Sequence, residues 1–256
     1  MTSGNRDPAA FSAVGPSSDE EARELRKSGR KATCPERDRD PVPVGASVYN
    51  RYSLVLYDLL VHFFSNRFVW RCPTVHLIEH ARACLSPKHL EMGIGSGKLF
   101  QKVSVGRAFE RLAIADVNLD CLGFARKVLH QENPETWKVN LLNPREEIQR
   151  LSGFQSIGLN YVLHCLPLEF REKLELCGRL MDRCLEDGGV LSGCTLFPNL
   201  NPSRFSRKLM GFYNRRGVFH NQSDDPKLFW EWIDARGLDP QFYTVGCVGF
   251  FSLKKK

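Results

Sequence analysis

The chain has 256 residues, 42% of them hydrophobic, which is enough to bury one sizeable core with an extension. Its longest apolar run, "YSLVLYDLLVHFF", is interrupted by Asp58 and His62, so no stretch reads as a membrane span. The formal net charge is +7, and much of the excess lies in Lys254–Lys256 and between Arg204 and Arg216. That pattern reads as a solvated basic face. A nucleic-acid footprint would show a denser stripe with interleaved aromatics, so no nucleic-acid partner is expected.

Residues 1–44 are rich in Gly, Pro, Ser and charge, and too poor in aliphatic side chains to offset their ordering entropy. They read as a disordered tail with one short helix in "SSDEEARELRKSGRK", capped by Ser18. The start lacks the basic-then-apolar order of a secretory signal and carries early acids, unlike a mitochondrial presequence. Nine scattered cysteines without a CxxC pair read as reduced thiols in the cytoplasm, with no zinc site.

A single domain is expected over 45–256. Residues 45–87 form a helical cap: an aromatic-rich helix through "YNRYSLVLYDLLVHFFSNRFVWRC", then a second opened by Pro73. Strand and helix patterns then alternate over 88–195: "KHLEMGI", "KLFQKVSV", "RLAIADV", "LDCLGFARKVLHQ", "TWKVNLL", "PREEIQRL", "QSIGLNYVL", "EFREKLELCGRLMDRCL" and "VLSGCTLF". Gly188-Gly189 is expected to end the long amphipathic helix. Residues 196–256 continue with helices near 203–216 and 226–236. The tail "QFYTVGCVGFFSL" reads as two strands about Gly246-Cys247 or as one long strand. Strands alternating with helices mean βαβ units, so the fold class is α/β. It is a Rossmann-like, doubly wound, mostly parallel sheet with an antiparallel C-terminal edge.

The chemistry concentrates in "HLEMGIGSGKLF", where the first strand meets its helix. Ligands of open α/β sheets bind at that edge, and glycine lets backbone approach them. A P-loop fails because Met92 and Leu99 stand where Gly and Ser or Thr are needed. The dinucleotide fingerprint fails because Lys98 replaces its third glycine. What remains is Glu91, Gly93, Gly95 and Gly97. An acid follows at the end of the second strand, Asp116, nineteen residues after Gly97. An acid so placed accepts ribose hydroxyls in this architecture; the competing assignment is the cap of the following helix.

This pattern resembles motif I of the class I S-adenosylmethionine-dependent methyltransferases. Three further segments extend the resemblance over about 88–195. They are "RLAIADVNLD", "KVNLLNP" and "FQSIGLNYVLHCLP". The closest likeness is to small-molecule enzymes of bacterial and fungal metabolism. It implies S-adenosyl-L-methionine as cofactor, with Glu91 near its cationic end and Asp116 and Asn118 at the ribose. Asn140 stands where the family commonly has an acid for the adenine amine, and Leu141 forms an apolar wall beside the ring. Gln155 departs from the family's aspartate, whereas Asn160 and His164 match its Asn-x-x-x-His. Asn160 would lie by the methionine part of the cofactor.

The resemblance implies methyl transfer to O, N, S or C of a small-molecule acceptor, expected in secondary metabolism. His164, placed at the pocket rim, is the candidate general base, and His220 is second; a lone histidine also serves as ordinary packing. The acceptor would meet Tyr49, Trp70, Arg71, Tyr213 and His220 from the cap and the late insertion, although core packing accounts for such aromatics equally. An RNA or protein methyltransferase is the alternative suggested by the positive charge, but the Asn-Pro-Pro-aromatic signature is absent from "NYVL". A non-catalytic cofactor-binding partner is another. No membrane insertion is expected, and a homodimer is compatible with the chain.

Overall fold

The computed structural model describes residues 66–143 and 146–256. The tail over 1–44 and most of the N-terminal cap, Tyr49 included, lie outside the described residues. The order is α1 (Thr74–Ala83), β1 (Lys88–Met92), α2 (Lys98–Ser104), β2 (Arg111–Asp116), α3 (Leu119–Val128), β3 (Glu135–Lys138), α4 (Glu146–Arg150), β4 (Phe154–Asn160), a 3-10 turn (Leu163–Cys165), α5 (Phe170–Cys184), β5 (Leu185–Leu196), α6 (Arg204–Arg215), α7 (Pro226–Arg236), β6 (Pro240–Val245) and β7 (Val248–Lys254). They build one seven-stranded sheet in the order β3-β2-β1-β4-β5-β7-β6.

The first five strands are parallel. From β1 the chain winds outward to β2 and β3, then returns to β4 on the other side of β1. The carboxyl ends of β1 and β4 are therefore neighbours at the point where the winding reverses, and the connections part there to leave a crevice.

The tail forms two strands, and the reversed one lies inside the sheet. β7 runs antiparallel to both β5 and β6. Burial explains the order. "VGFFSL" is buried at every position, as a strand covered on both faces must be, while β6 alternates and takes the edge.

Helix α5 carries the largest apolar face. A capping box between Glu169 and Glu172 starts it, and Phe170, Leu174, Cys177, Leu180, Met181 and Cys184 are buried in the main core. Each large side chain so buried contributes roughly 1.5–3 kcal/mol. The helix stops at Cys184, ahead of Gly188-Gly189. Residues from Leu185 onward already belong to β5, with a register shift against β4 between Phe154 and Ser156. The pairing available to an extended chain beside β4 thus ends the helix before the glycines do.

Candidate cofactor and acceptor site

The glycine loop leaves β1 and is tied at once to β2. The amides of Gly93 and Ile94 donate to the Ala115 carbonyl at 2.7 and 3.3 Å, and the Gly95 amide donates to Asp116 Oδ2 at 3.0 Å. Gly93, Gly95 and Gly97 have φ of 68°, 55° and 75°, a region that costs an L-residue roughly 1–2 kcal/mol. Their surroundings differ. A Cβ on Gly93 would stand 2.5 Å from Val162 Cγ2, and one on Gly97 would stand 3.0 Å from Ala125 Cβ. A Cβ on Gly95 would meet nothing within 4 Å. Gly93 and Gly97 are therefore fixed by packing within the protein. Gly95 borders open space.

Asp116 closes that space from β2. Besides Gly95, it accepts from the Asn118 amide at 2.9 Å. Burial pushes its pKa up, and the backbone amides of Asn118, Gly95 and Val117 oppose the shift. A carboxylate offers about four lone-pair sites, so hydroxyl donors can still be accepted. The cap of α3 is Asn118, whose Oδ1 accepts from the Asp120 amide at 2.8 Å. The capping role that competed for Asp116 is thus filled by Asn118. Asn140, after β3, folds its Oδ1 onto the Leu142 amide at 3.0 Å and exposes little of the adjacent Leu141.

Glu91 is only 6% exposed. Its Oε1 accepts from Asn160 Nδ2 at 3.0 Å, and its Oε2 lies 3.0 Å from His89 Nε2. Gly158 makes this placement feasible, because a Cβ there would fall 1.9 Å from Oε2. His89 and Gly158 were not legible as site residues from motifs. The available signal was register: positions two apart on a strand share a face, which groups His89 with Glu91 and Ser156 with Gly158 and Asn160.

The acceptor-side residues divide into a buried cluster and a surface. Trp70 is 2% exposed, with its ring 6.2 Å from Phe219. Phe219 also lies 4.8 Å from Tyr213 and 4.7 Å, edge-on, from His164. Arg71 is exposed, with φ of 54°. His220 is half-buried; its Nε2 lies 3.1 Å from the Gly217 carbonyl, and its amide donates to the His164 carbonyl at 2.7 Å.

His164, expected at the rim, is buried in the 3-10 turn after β4, with Nδ1 3.4 Å from Thr195 Oγ1. Burial, helped by the charge of Lys173, lowers its pKa to about 3, so the imidazole is neutral at physiological pH.

Sequence reasoning also missed what holds this segment in place. Lys173 of α5 is fully buried. Its ammonium donates to both oxygens of Asp224, at 2.8 and 3.0 Å, and to the His220 carbonyl at 2.7 Å. Asn221, also fully buried, donates to the Leu196 carbonyl at 2.9 Å and exchanges hydrogen bonds with Asn214 of α6. A lysine in an amphipathic helix ordinarily reads as solvated, so its fully buried partner became visible only in three dimensions. No cluster of three or more His, Cys, Asp or Glu that could hold a metal ion occurs among the described residues.

No protein-family model matches the chain. Methyltransferase verB of Penicillium polonicum is 29% identical over 224 residues, 82% of this chain and 97% of that protein. Demethylluteothin O-methyltransferase of Streptomyces thioluteus is 28% identical over 214 residues, 81% of this chain and 89% of that one. The Escherichia coli (strain K12) protein named "Putative uncharacterized protein YbcY" is 30% identical over 198 residues, 75% of this chain and 98% of YbcY. The chain belongs to the class I S-adenosylmethionine-dependent methyltransferase family.

The fold agrees. An O-methyltransferase family protein from Burkholderia thailandensis superposes with a TM-score of 0.55 at 16% identity, over 72% of this chain and 56% of that one. The methyltransferase domain of bacterial CtHen1-C gives 0.52 at 12%, over 71% and 96%. As a class I methyltransferase, the chain has residues that fit the family's cofactor. The position a side chain at Gly95 would take is open space. The donor set around it is anionic and hydrogen-bond-accepting at Glu91 and Asp116, which suits an ammonium, a sulfonium and ribose hydroxyls.

Proposed function

We propose that this methyltransferase uses S-adenosyl-L-methionine and transfers its methyl group to a small-molecule acceptor at oxygen or nitrogen. The observation that carries the cofactor reading is the open space at Gly95, bounded by the loop-anchored carboxylate of Asp116. When bound, S-adenosylmethionine supplies an electrophilic methyl group whose leaving group is neutral. In this reading Asp116 accepts the ribose hydroxyls, with Asn118 holding the turn beside it. Glu91 and Asn160 receive the amino-acid end, and Asn140 and Leu141 flank the adenine.

Trp70 and Phe219 are core residues, so the apolar contact left for an acceptor in this group is the half-buried Tyr213 packed on Phe219. The names of the relatives bear on the acceptor atom: Demethylluteothin O-methyltransferase and the Physcion biosynthesis cluster O-methyltransferase of Aspergillus chevalieri are named for oxygen, and vrtF of Penicillium aethiopicum is named an N-methyltransferase. The biosynthesis cluster in one of these names supports a role in secondary metabolism. His164, the first candidate base, is buried with Nδ1 beside Thr195 and a pKa lowered to about 3, so it fits a packing role better than taking a proton from the acceptor. The half-buried His220 is the imidazole left for the reacting atom of the acceptor. Rate would then come mainly from orientation, which supplies roughly 7–11 kcal/mol in well-aligned reactions. The described cysteines are all free thiols, which supports a reducing, cytoplasmic setting.

The test is transfer of labelled methyl from S-adenosylmethionine to a panel of naphthols, hydroxypyrones and secondary amines, with bulk RNA and protein as further acceptors. Label in the small molecules is expected. Label confined to RNA or protein would overturn the acceptor reading, and no label anywhere with the cofactor bound would favour a non-catalytic binding protein.

A further inference from the structure

A chain of buried polar groups runs behind Glu91. The Ser86 amide donates to Ser156 Oγ at 3.0 Å; Ser156 Oγ lies 2.8 Å from His89 Nδ1; and His89 Nε2 lies 3.0 Å from Glu91 Oε2. His89 is 3% exposed and Ser156 is fully buried. The strands bring them together by register, since His89 pairs with Ser156 and Glu91 with Gly158 across β1 and β4. The His89 ring also lies flat on Phe100 of α2, at 5.3 Å and 9°, so its plane is fixed. An ionised carboxylate only accepts hydrogen bonds, which puts a His89 hydrogen on Nε2. In the neutral imidazole Nδ1 is then the acceptor, and the Ser156 hydroxyl donates to it. Every link has a donor and an acceptor, and the chain ends on a carboxylate lying across Gly158.

We infer that His89, held by Ser156 and Phe100, is a positioning residue for Glu91 and through it sets affinity for the cationic amino-acid end of the cofactor. The inference rests on the cofactor reading above. Two features separate this arrangement from ordinary packing. A buried histidine needs only satisfied nitrogens, whereas here one nitrogen is spent on the single acid that precedes the glycine loop. Asn160 clamps the other oxygen of the same carboxylate, so the group is oriented from both sides, as an electrostatic contact to a ligand requires.

The experiment is calorimetric titration of S-adenosylmethionine, and separately of 5′-methylthioadenosine, into the wild type, His89→Leu and His89→Gln. The second probe lacks the ammonium and carboxylate. His89→Leu is expected to weaken S-adenosylmethionine at least tenfold while 5′-methylthioadenosine changes less than threefold. His89→Gln retains a donor toward Glu91 and is expected to restore S-adenosylmethionine to within threefold of wild type. Wild-type affinity in folded His89→Leu overturns the inference, and so does equal loss for both probes, which marks general loosening of the loop. If His89→Leu does not fold, Ser156→Ala decides: three- to tenfold weaker S-adenosylmethionine alone supports the relay, and unchanged affinity overturns it. A wild type that binds neither probe refutes the cofactor reading itself, a result distinct from either.

Discussion

Replacing Gly93 and Gly95 by alanine, one at a time, separates architecture from ligand space. Both residues have positive φ, 68° and 55°, so each alanine costs roughly 1–2 kcal/mol of backbone strain. At Gly93 the new methyl stands 2.5 Å from Val162 Cγ2, in a core that must shift, which adds roughly 1–3 kcal/mol of overpacking. Gly93→Ala should therefore lose about 2–5 kcal/mol of unfolding free energy. At Gly95 the new methyl meets no protein atom within 4 Å beyond its chain neighbours, so Gly95→Ala should lose about 1–2 kcal/mol and no more. Its methyl instead enters the proposed ligand space. S-adenosylmethionine should bind at least tenfold more weakly, equivalent to about 1.4 kcal/mol or more. Urea denaturation gives the stabilities and calorimetric titration the affinities. A folded Gly95→Ala protein that binds S-adenosylmethionine like the wild type would refute the assignment of that space.

Asp116→Ala removes the acceptor shared by Gly95 and Asn118 and should weaken the cofactor more than tenfold. Asn118→Ala removes the α3 cap and should cost about 1 kcal/mol of stability, with affinity in titrations falling less than threefold. His164 has a folded pKa of about 3, below its ordinary 6.5, so the stability it contributes is complete above that ordinary value and is lost as pH falls toward 3. Between pH 7 and pH 5 this one group should remove about 2 kcal/mol, and His164→Phe should show a correspondingly flatter stability profile in denaturation at the two pH values. For the fully buried ion pair, Lys173→Met alone should cost roughly 3–5 kcal/mol because Asp224 is left uncompensated. The double variant Lys173→Met/Asp224→Leu should recover most of it in the same assay.

The sheet was legible because its signals are local. Hydrophobic runs of strand length alternate with helical periods from Lys88 to Leu196, and every parallel strand except the exposed edge strand β3 carries its own apolar stretch. The tail hairpin was readable as strands, but its order was not. That β7 inserts between β5 and β6 depends on which strand is buried on both faces, a property of the assembled sheet. Within the candidate site, the glycine turn after β1 and its place beside Asp116 were legible because backbone geometry at a strand–helix turn restricts residue type. His89, Ser156 and Gly158 were not, because their relation to Glu91 runs across two strands far apart in sequence. His164 was readable as a position and misread as an environment. Its burial beneath Phe219 and its electrostatic contact with Lys173 come from α5 and the segment after α6, which no local motif announces.

Gly95, Asp116 and Glu91 are proposed to surround S-adenosylmethionine. A crystal structure of the protein with S-adenosylhomocysteine should show the ribose hydroxyls within hydrogen-bond distance of Asp116, and the amino-acid end beside Gly95 on the Glu91–Asn160 side. Density for the ligand elsewhere on the molecule, with the space at Gly95 filled by solvent, would contradict it.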